Sequence, residues 1–289
     1  MMSRVTTTTL RKLKRTGQKV VMVTAYDFPS AKLVDAAGVD VILVGDSLGM
    51  AVLGYENTLA VTMEDMIHHT KAVVRGAQSA LILADMPFMS YQVSETAAIT
   101  NAGRLLQEAG AQAVKLEGGA EMAGTVAKIV TAGIPVCGHL GFTPQSVNQT
   151  GGAFFKGKSA SQAVKLMDDA LRLEDAGICS LVLELVPWEV AEAVTGRLQI
   201  PTIGIGSGPA CDGQVLVFHD LLGFNAEFRP KHNKIYAELG ASVSAAVRDY
   251  CLEVREGRFP EEDHTKRMTP EEYTLFCTTL NLQKPKEEV

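Results

Sequence analysis

Eight short apolar runs recur along the chain, each breaking off in polar or glycine residues: VVMVTAYD, VDVILVGD, ALILADMP, QAVKLEGG, PVCGHLG, SLVLELVP, PTIGIGSG and VLVFHDLLG. They are rich in Val, Ile and Leu with few polar interruptions, the pattern of strands buried on both faces of a parallel sheet. Between them, helical periodicity appears near residues 30–37, 62–75, 94–109, 161–176 and 188–198. Thr62 and Asp65 form a capping-box pattern at the start of one of these segments. Gly38, Gly110, Gly133 and Gly177 each follow an alanine, and each suits the left-handed turn that stops a helix before a short return to a strand. The alternation predicts an α/β fold, eight parallel strands with helical crossovers closed into a (β/α)8 TIM barrel; an open doubly wound sheet is the alternative. The start carries six Lys or Arg and no acid in residues 1–26. It reads as an N-terminal capping helix, LRKLKRT, begun by Thr9 and ended by Gly17, closing the bottom of the barrel, in preference to a transit peptide. A last helix over residues 240–256 is expected to complete the shell. The barrel domain then spans residues 1–258, and the polar residues 259–289 form a C-terminal extension.

A chain of 289 residues is long enough for one barrel with a single large core. With 46% hydrophobic and 21% charged residues, and no apolar stretch long enough for a bilayer, a membrane partner is not expected. The net charge of -6 and the lack of a basic stripe argue against nucleic acid. Cys137, Cys179, Cys211, Cys251 and Cys277 are scattered, odd in number and free of metal-type spacing, which suits a reducing, cytoplasmic setting.

Polar groups follow the apolar runs at one recurrent position. Asp46 and Ser47 end the second run, Asp85 the third, Lys115 and Glu117 the fourth, His139 the fifth and Glu184 the sixth. In a barrel these strand ends meet at one rim, where catalytic groups gather. Lys115 and Glu117, two apart, share a face. Asp46, Asp85 and Glu117 supply hard oxygen donors without a cysteine or histidine cluster, which favours a magnesium ion; the alternative is that they only pair with Lys115 and nearby arginines. Glu184 lies between leucines, so partial desolvation is expected to raise its proton affinity and suit it as a general base. A metal facing a base suggests proton abstraction beside a carbonyl.

The motifs VTAYD, VGDSLGM, LADMPF, AVKLEGG, GHLGFTPQ, LVLELVP and IGIGSG, in that order over roughly residues 6–259, make the chain resemble the ketopantoate (3-methyl-2-oxobutanoate) hydroxymethyltransferases. The resemblance implies magnesium-dependent transfer of a hydroxymethyl group from 5,10-methylenetetrahydrofolate to 3-methyl-2-oxobutanoate, giving 2-dehydropantoate on the route to pantothenate and coenzyme A. By motif it implies a metal shell of Asp46, Asp85 and Glu117, keto-acid contacts from Asp46, Ser47, Asp85 and Lys115, and Glu184 as the base. It also implies a large homo-oligomer, a decamer. His139 is a further candidate for substrate contact, with a structural histidine as the alternative. The rival functions are a related α-keto-acid lyase or mutase of the phosphoenolpyruvate/isocitrate lyase type and a non-catalytic keto-acid-binding barrel.

Other features carry less. His68 and His69, adjacent on a helix, diverge and make a poor metal pair. Gly204, Gly206 and Gly208 suggest either close approach of a bulky ligand or strand-end packing. Residues 148–159, NQTGGAFFKGKS, read as a mobile loop over the mouth. The chain departs from the family pattern at residues 225–234 and over its last twenty or so residues.

Overall fold

A computed structural model of the chain describes residues 4–225 and 233–282. Most of the departure at residues 225–234, and the last seven residues, lie outside those described. The chain groups into two compact units, Met1–Ala237 and Glu238–Val289.

In the first unit, strands β1 (Val20–Thr24), β2 (Val41–Val44), β3 (Leu81–Asp85), β4 (Ala113–Lys115), β5 (Val136–Gly141), β6 (Ser180–Glu184), β7 (Thr202–Ile205) and β8 (Gly213–Leu216) pair in parallel in chain order. β8 closes on β1, with Val20 opposite Gly213, so the sheet is a complete barrel and the open-sheet alternative falls. The accompanying helices are α1 (Thr7–Arg15), α2 (Phe28–Ala36), α3 (Leu48–Ala51), α4 (Met63–Gly76), α5 (Glu95–Gln107), α6 (Ala123–Thr131), α7 (Val147–Thr150), α8 (Ala160–Asp175), α9 (Trp188–Arg197) and α10 (Phe218–Leu221). The second unit holds α11 (Leu239–Arg255) and α12 (Pro270–Thr279).

The helix exits are as expected: Gly38, Gly110, Gly133 and Gly177 have φ of 86°, 84°, 87° and 96°. The Thr62–Asp65 capping box opens α4. The cap of α1 differs from expectation, because Thr6 takes it and Thr9, at the third helical position, bonds back to the Thr6 N–H at 3.2 Å. The threonine run thus forms the first turn instead of preceding it. The start of β8 also differs. It begins at Gly213, whose missing side chain lets the strand lie against the Val20 carbonyl, a position with no apolar signature. The run expected to continue it turns away after Leu216, where the Phe218 N–H donates to Thr24 Oγ1 at 3.0 Å and α10 begins. No helix covers the step from β7 to β8, whose seven residues 206–212 return directly to the next strand and leave a side groove of about 610 Å³ beside Lys19, Gly208 and Gln214. The helix expected to complete the shell is α11. It groups with the tail, and none of its side chains is buried. The units therefore divide at 237/238, ahead of the 258/259 boundary drawn from the polar tail.

Two apolar layers follow from the strand alternation. Ile42, Ile82, Val114, Leu181 and Leu183 face outward against the helices, while Met22, Leu43, Leu83, Ala113, Cys137, Val182 and Val215 fill the barrel. Leu10 of α1, 1% exposed, joins the inner layer with Val5 and Leu13 packed against it, so this helix plugs one end. Replacing Leu10 by alanine is expected to destabilise the barrel by about 2–5 kcal/mol, read as a lowered unfolding midpoint, because the site cannot collapse between closed strands.

Candidate active site

The alternation that fills the barrel also builds the site. Leu83, Ala113, Cys137 and Val182 point inward, and two residues further along the same strands Asp85, Lys115, His139 and Glu184 point inward at the carboxyl-terminal rim. Asp46 and Ser47 follow the end of β2, and Glu117 stands two residues past Lys115. All of these predicted residues line one cavity of about 490 Å³. Asp46, Asp85, Lys115, Glu117 and His139 are 2–5% exposed, whereas the Glu184 side chain keeps 18% exposure and Ser47 is half-buried.

Buried charges need partners, and here they find one another. Lys115 Nζ lies 3.0 Å from Asp85 Oδ1, whose companion oxygen accepts the Asp46 N–H at 3.0 Å. His139 Nδ1 stands between Lys115 Nζ at 3.4 Å and Glu117 Oε1 at 3.5 Å, and its Nε2 is 3.2 Å from Glu184 Oε2, off the line of a good hydrogen bond. Sequence reasoning did not single out Gln145, the amide that ties the acids together. Its Nε2 donates to Asp46 Oδ2 and to the Met86 carbonyl, both at 2.9 Å, and its backbone N–H donates to Glu117 Oε2 at 3.0 Å. Its Oε1 accepts from the Tyr91 hydroxyl at 2.6 Å, and that hydroxyl accepts the Glu117 N–H at 3.2 Å. Tyr26, also missed, shares a 2.8 Å hydrogen bond with Ser47 Oγ.

Burial raises the carboxyl of Asp46 well above the ordinary range, and the charges of Asp85 and Glu117 push it further. Asp85 is raised by burial as well, against the downward pull of Lys115. Burial alone would release the Lys115 proton, but Asp85, Glu117 and Asp46 outweigh it and hold the ammonium charged. A Schiff base needs the neutral amine, so this lysine is suited to charge neutralisation. Burial and Lys115 pull His139 down, yet the adjacent Glu117 and Glu184 carboxylates lift it to about 9. Four acids face one lysine and one histidine, an excess of negative charge that attracts a cation.

Glu184 is seated by its own turn. Ser207 Oγ donates to the Leu183 carbonyl at 2.8 Å and accepts from the Val186 N–H at 3.1 Å, bracketing the residue. Of the two leucines thought to desolvate it, Leu183 faces the outer layer instead. Leu185 does line the cavity, with its backbone at φ 49°, a left-handed conformation costly for a branched side chain and held here by hydrogen bonds from its N–H to Ile205 O and from Lys156 N–H to its own carbonyl.

Comparison with known proteins gives the family. A family model described as ketopantoate hydroxymethyltransferase matches residues 4–262. The chain belongs to the ketopantoate hydroxymethyltransferase family. It is 58% identical over 270 residues to a 3-methyl-2-oxobutanoate hydroxymethyltransferase of Carboxydothermus hydrogenoformans, covering 93% of this chain and 98% of that one. A protein of the same name from Chloroflexus aurantiacus is 54% identical over 269 residues, covering 93% and 95%. The chain is thus an enzyme of the hydroxymethyltransferase type. In fold it resembles 2,3-dimethylmalate lyase, a PEP mutase/isocitrate lyase superfamily member (TM-score 0.58, 19% identity, 97% of each chain), and phosphonopyruvate hydrolase (TM-score 0.60, 14% identity, 97% of each). At those identities the likeness shows the fold alone.

Within this family member, the acids offer a hard cation a place without closing into a finished cage. Among the described residues no three His, Cys, Asp or Glu side chains converge as a ready metal trio. Asp85 Oδ1 and Glu117 Oε1 are nevertheless buried oxygens whose only close partners are charged groups out of good hydrogen-bond line, the Lys115 ammonium at 3.0 Å and the His139 ring at 3.5 Å. That set fits an ion such as magnesium, which takes one or two carboxylates and completes its shell with substrate and water.

The lesser features resolve in favour of packing. Gly208, at φ 77°, lies so close to Trp188 that an added Cβ would sit 2.8 Å from the ring, so packing accounts for that glycine. His69 Nδ1 contacts the Tyr26 carbonyl at 2.6 Å, and the rings of His68 and His69 are nearly perpendicular. The stretch expected over the mouth does border it, with Ala153 and Phe155 lining the cavity. All five cysteines are free thiols, and no described helix is long and apolar enough to cross a membrane.

Proposed function

We propose that this enzyme transfers a hydroxymethyl group from 5,10-methylenetetrahydrofolate to 3-methyl-2-oxobutanoate, giving 2-dehydropantoate, with Asp46, Asp85 and Glu117 as the residues that would hold a magnesium ion. The protein is taken to work in the cytoplasm as a large homo-oligomer. The observation that carries the reading is that a partly exposed carboxylate, Glu184, shares one cavity with a buried, charged lysine and the buried acids Asp46, Asp85 and Glu117.

Lys115 Nζ neutralises the keto-acid carboxylate, and Ser47, whose oxygen can accept from Tyr26, donates a hydrogen bond to it. Asp46, Asp85 and Glu117 line the keto-acid end of the cavity, where they would hold a cation whose positive charge would polarise the keto group. Glu184 removes the proton from the tertiary carbon next to the ketone, and the electron pair left behind forms the new carbon–carbon bond with the one-carbon unit. His139 holds Glu184 in place at 3.2 Å and keeps a proton within its reach. Overall, keto acid, methylenetetrahydrofolate and one water give the hydroxymethylated acid and tetrahydrofolate.

The test is direct. Purified protein with magnesium, 3-methyl-2-oxobutanoate and methylenetetrahydrofolate is expected to form 2-dehydropantoate, to lose at least about tenfold in rate with EDTA, and to recover with added magnesium. No product in the presence of all three would contradict the reading, and a rate indifferent to EDTA would contradict the metal.

A further inference from the structure

The charged floor of the cavity accounts for the keto acid and leaves the upper walls without a task. At about 490 Å³ the cavity is in the range that encloses a drug-sized ligand, well beyond a five-carbon acid. Two loops from different sides of the ring form these walls, and they differ in kind. After β5, Phe142, Pro144, Val147 and Phe155 present an apolar surface. After β2, three strands round the ring, Glu56, Asn57 and Thr58 present polar groups. The Glu56 carboxylate makes no hydrogen bond or ion pair with any described residue. Thr58 is 2% exposed, and its hydroxyl has no hydrogen-bond partner. Asn57 Oδ1 is already taken by the Leu59 N–H at 3.0 Å.

A carboxylate free of cations and an orphaned hydroxyl, facing an aromatic wall, describe a receptor for a flat ligand with an N–H edge. The pterin ring of a reduced folate has that form. Its 2-amino group and neighbouring ring N–H are two parallel donors, the same fork that a guanidinium offers, and a carboxylate accepts such a fork through both oxygens. We infer that Glu56 recognises the aminopyrimidine edge of the folate co-substrate, with Thr58 as a second polar contact on the same loop and Phe155 against the ring face. The inference rests on the reading that a folate carries the one-carbon unit. It fixes the direction of the co-substrate: ring edge toward the loop after β2, methylene carbon toward the floor near Glu184, glutamate tail out through the mouth.

Glu56→Gln replaces one acceptor by a donor that opposes the ring N–H. Glu56 is exposed, so folding is expected to survive, which a melting curve checks. The KM for methylenetetrahydrofolate is expected to rise about tenfold or more, while the Kd of 3-methyl-2-oxobutanoate, measured calorimetrically with magnesium and no folate, moves by less than about twofold. A methylenetetrahydrofolate analogue lacking the 2-amino group gives the second readout. It should be a poorer substrate than the parent for the wild type and no poorer for Glu56→Gln. Thr58→Val should raise the same KM by a smaller factor. An unchanged folate KM in Glu56→Gln, or equal discrimination against the analogue by both proteins, would overturn the assignment. Failure of the wild type to use methylenetetrahydrofolate at all would instead remove the reading on which it rests, and the assignment with it.

Discussion

Glu184→Gln is expected to lower turnover by about 10²–10⁴-fold, the usual contribution of a positioned base, while keto acid and magnesium still bind. Glutamine keeps the size of the side chain and an oxygen for His139, so the seat made by Ser207 and the turn at Leu185 should persist. What disappears is the one carboxylate among the four at the charged strand ends that stays partly exposed, since Asp46, Asp85 and Glu117 are 5% exposed or less. Steady-state rates and calorimetric binding together check this. Loss of rate with binding kept identifies a base. A variant as active as the wild type would show that Glu184 is not the base.

Gln145→Leu should have the largest effect on the architecture of the site. Leucine fits the volume but leaves the Asp46 Oδ2, Met86 carbonyl and Tyr91 hydroxyl groups without their partner. Each stranded buried group costs about 1–3 kcal/mol, so a loss of roughly 3 kcal/mol or more is expected, a fall in melting temperature on the order of 6–12 °C for a chain of this size. Turnover should fall as well, because Asp46 loses the hydrogen bond that orients it. Magnesium affinity, measured by titration, should weaken in parallel. A variant that melts with the wild type and binds magnesium as tightly would show that the amide does not organise the acids. Gln145→Glu separates packing from charge: it restores the shape but places another acid against Asp46, so stability should recover only in part.

Most of the site was legible because strands buried on both faces report their inward residues with a period of two. Asp85, Lys115, His139 and Glu184 each continue a register already occupied by an interior apolar residue, so one rule places all four. Gln145 was not legible by that rule. It lies in the short turn Pro144–Ser146 past the end of β5, where no periodicity applies, and its importance comes from partners distant in the chain. The same holds for Tyr26, whose hydroxyl meets Ser47 only after β1 and β2 have paired. Two features of the fold were hidden for the opposite reason. β8 opens with Gly213 and Gln214, chosen by close backbone approach and exposure instead of hydrophobicity, and the helix expected between β7 and β8 is replaced by a loop too short to show a pattern. Around Glu184 only half of the expected apolar surroundings is present, because alternation sends Leu183 outward and an unusual backbone angle brings Leu185 to the cavity.

The central claim is that Glu184 and the buried charges around it remove a carbon-bound proton, and this can be seen without any one-carbon donor. Wild-type protein, magnesium and 3-methyl-2-oxobutanoate in heavy water should exchange the single hydrogen on the carbon beside the ketone, followed by loss of its proton resonance, at a rate far above buffer and far above Glu184→Gln. Exchange no faster than buffer, or equally fast in both proteins, would contradict it.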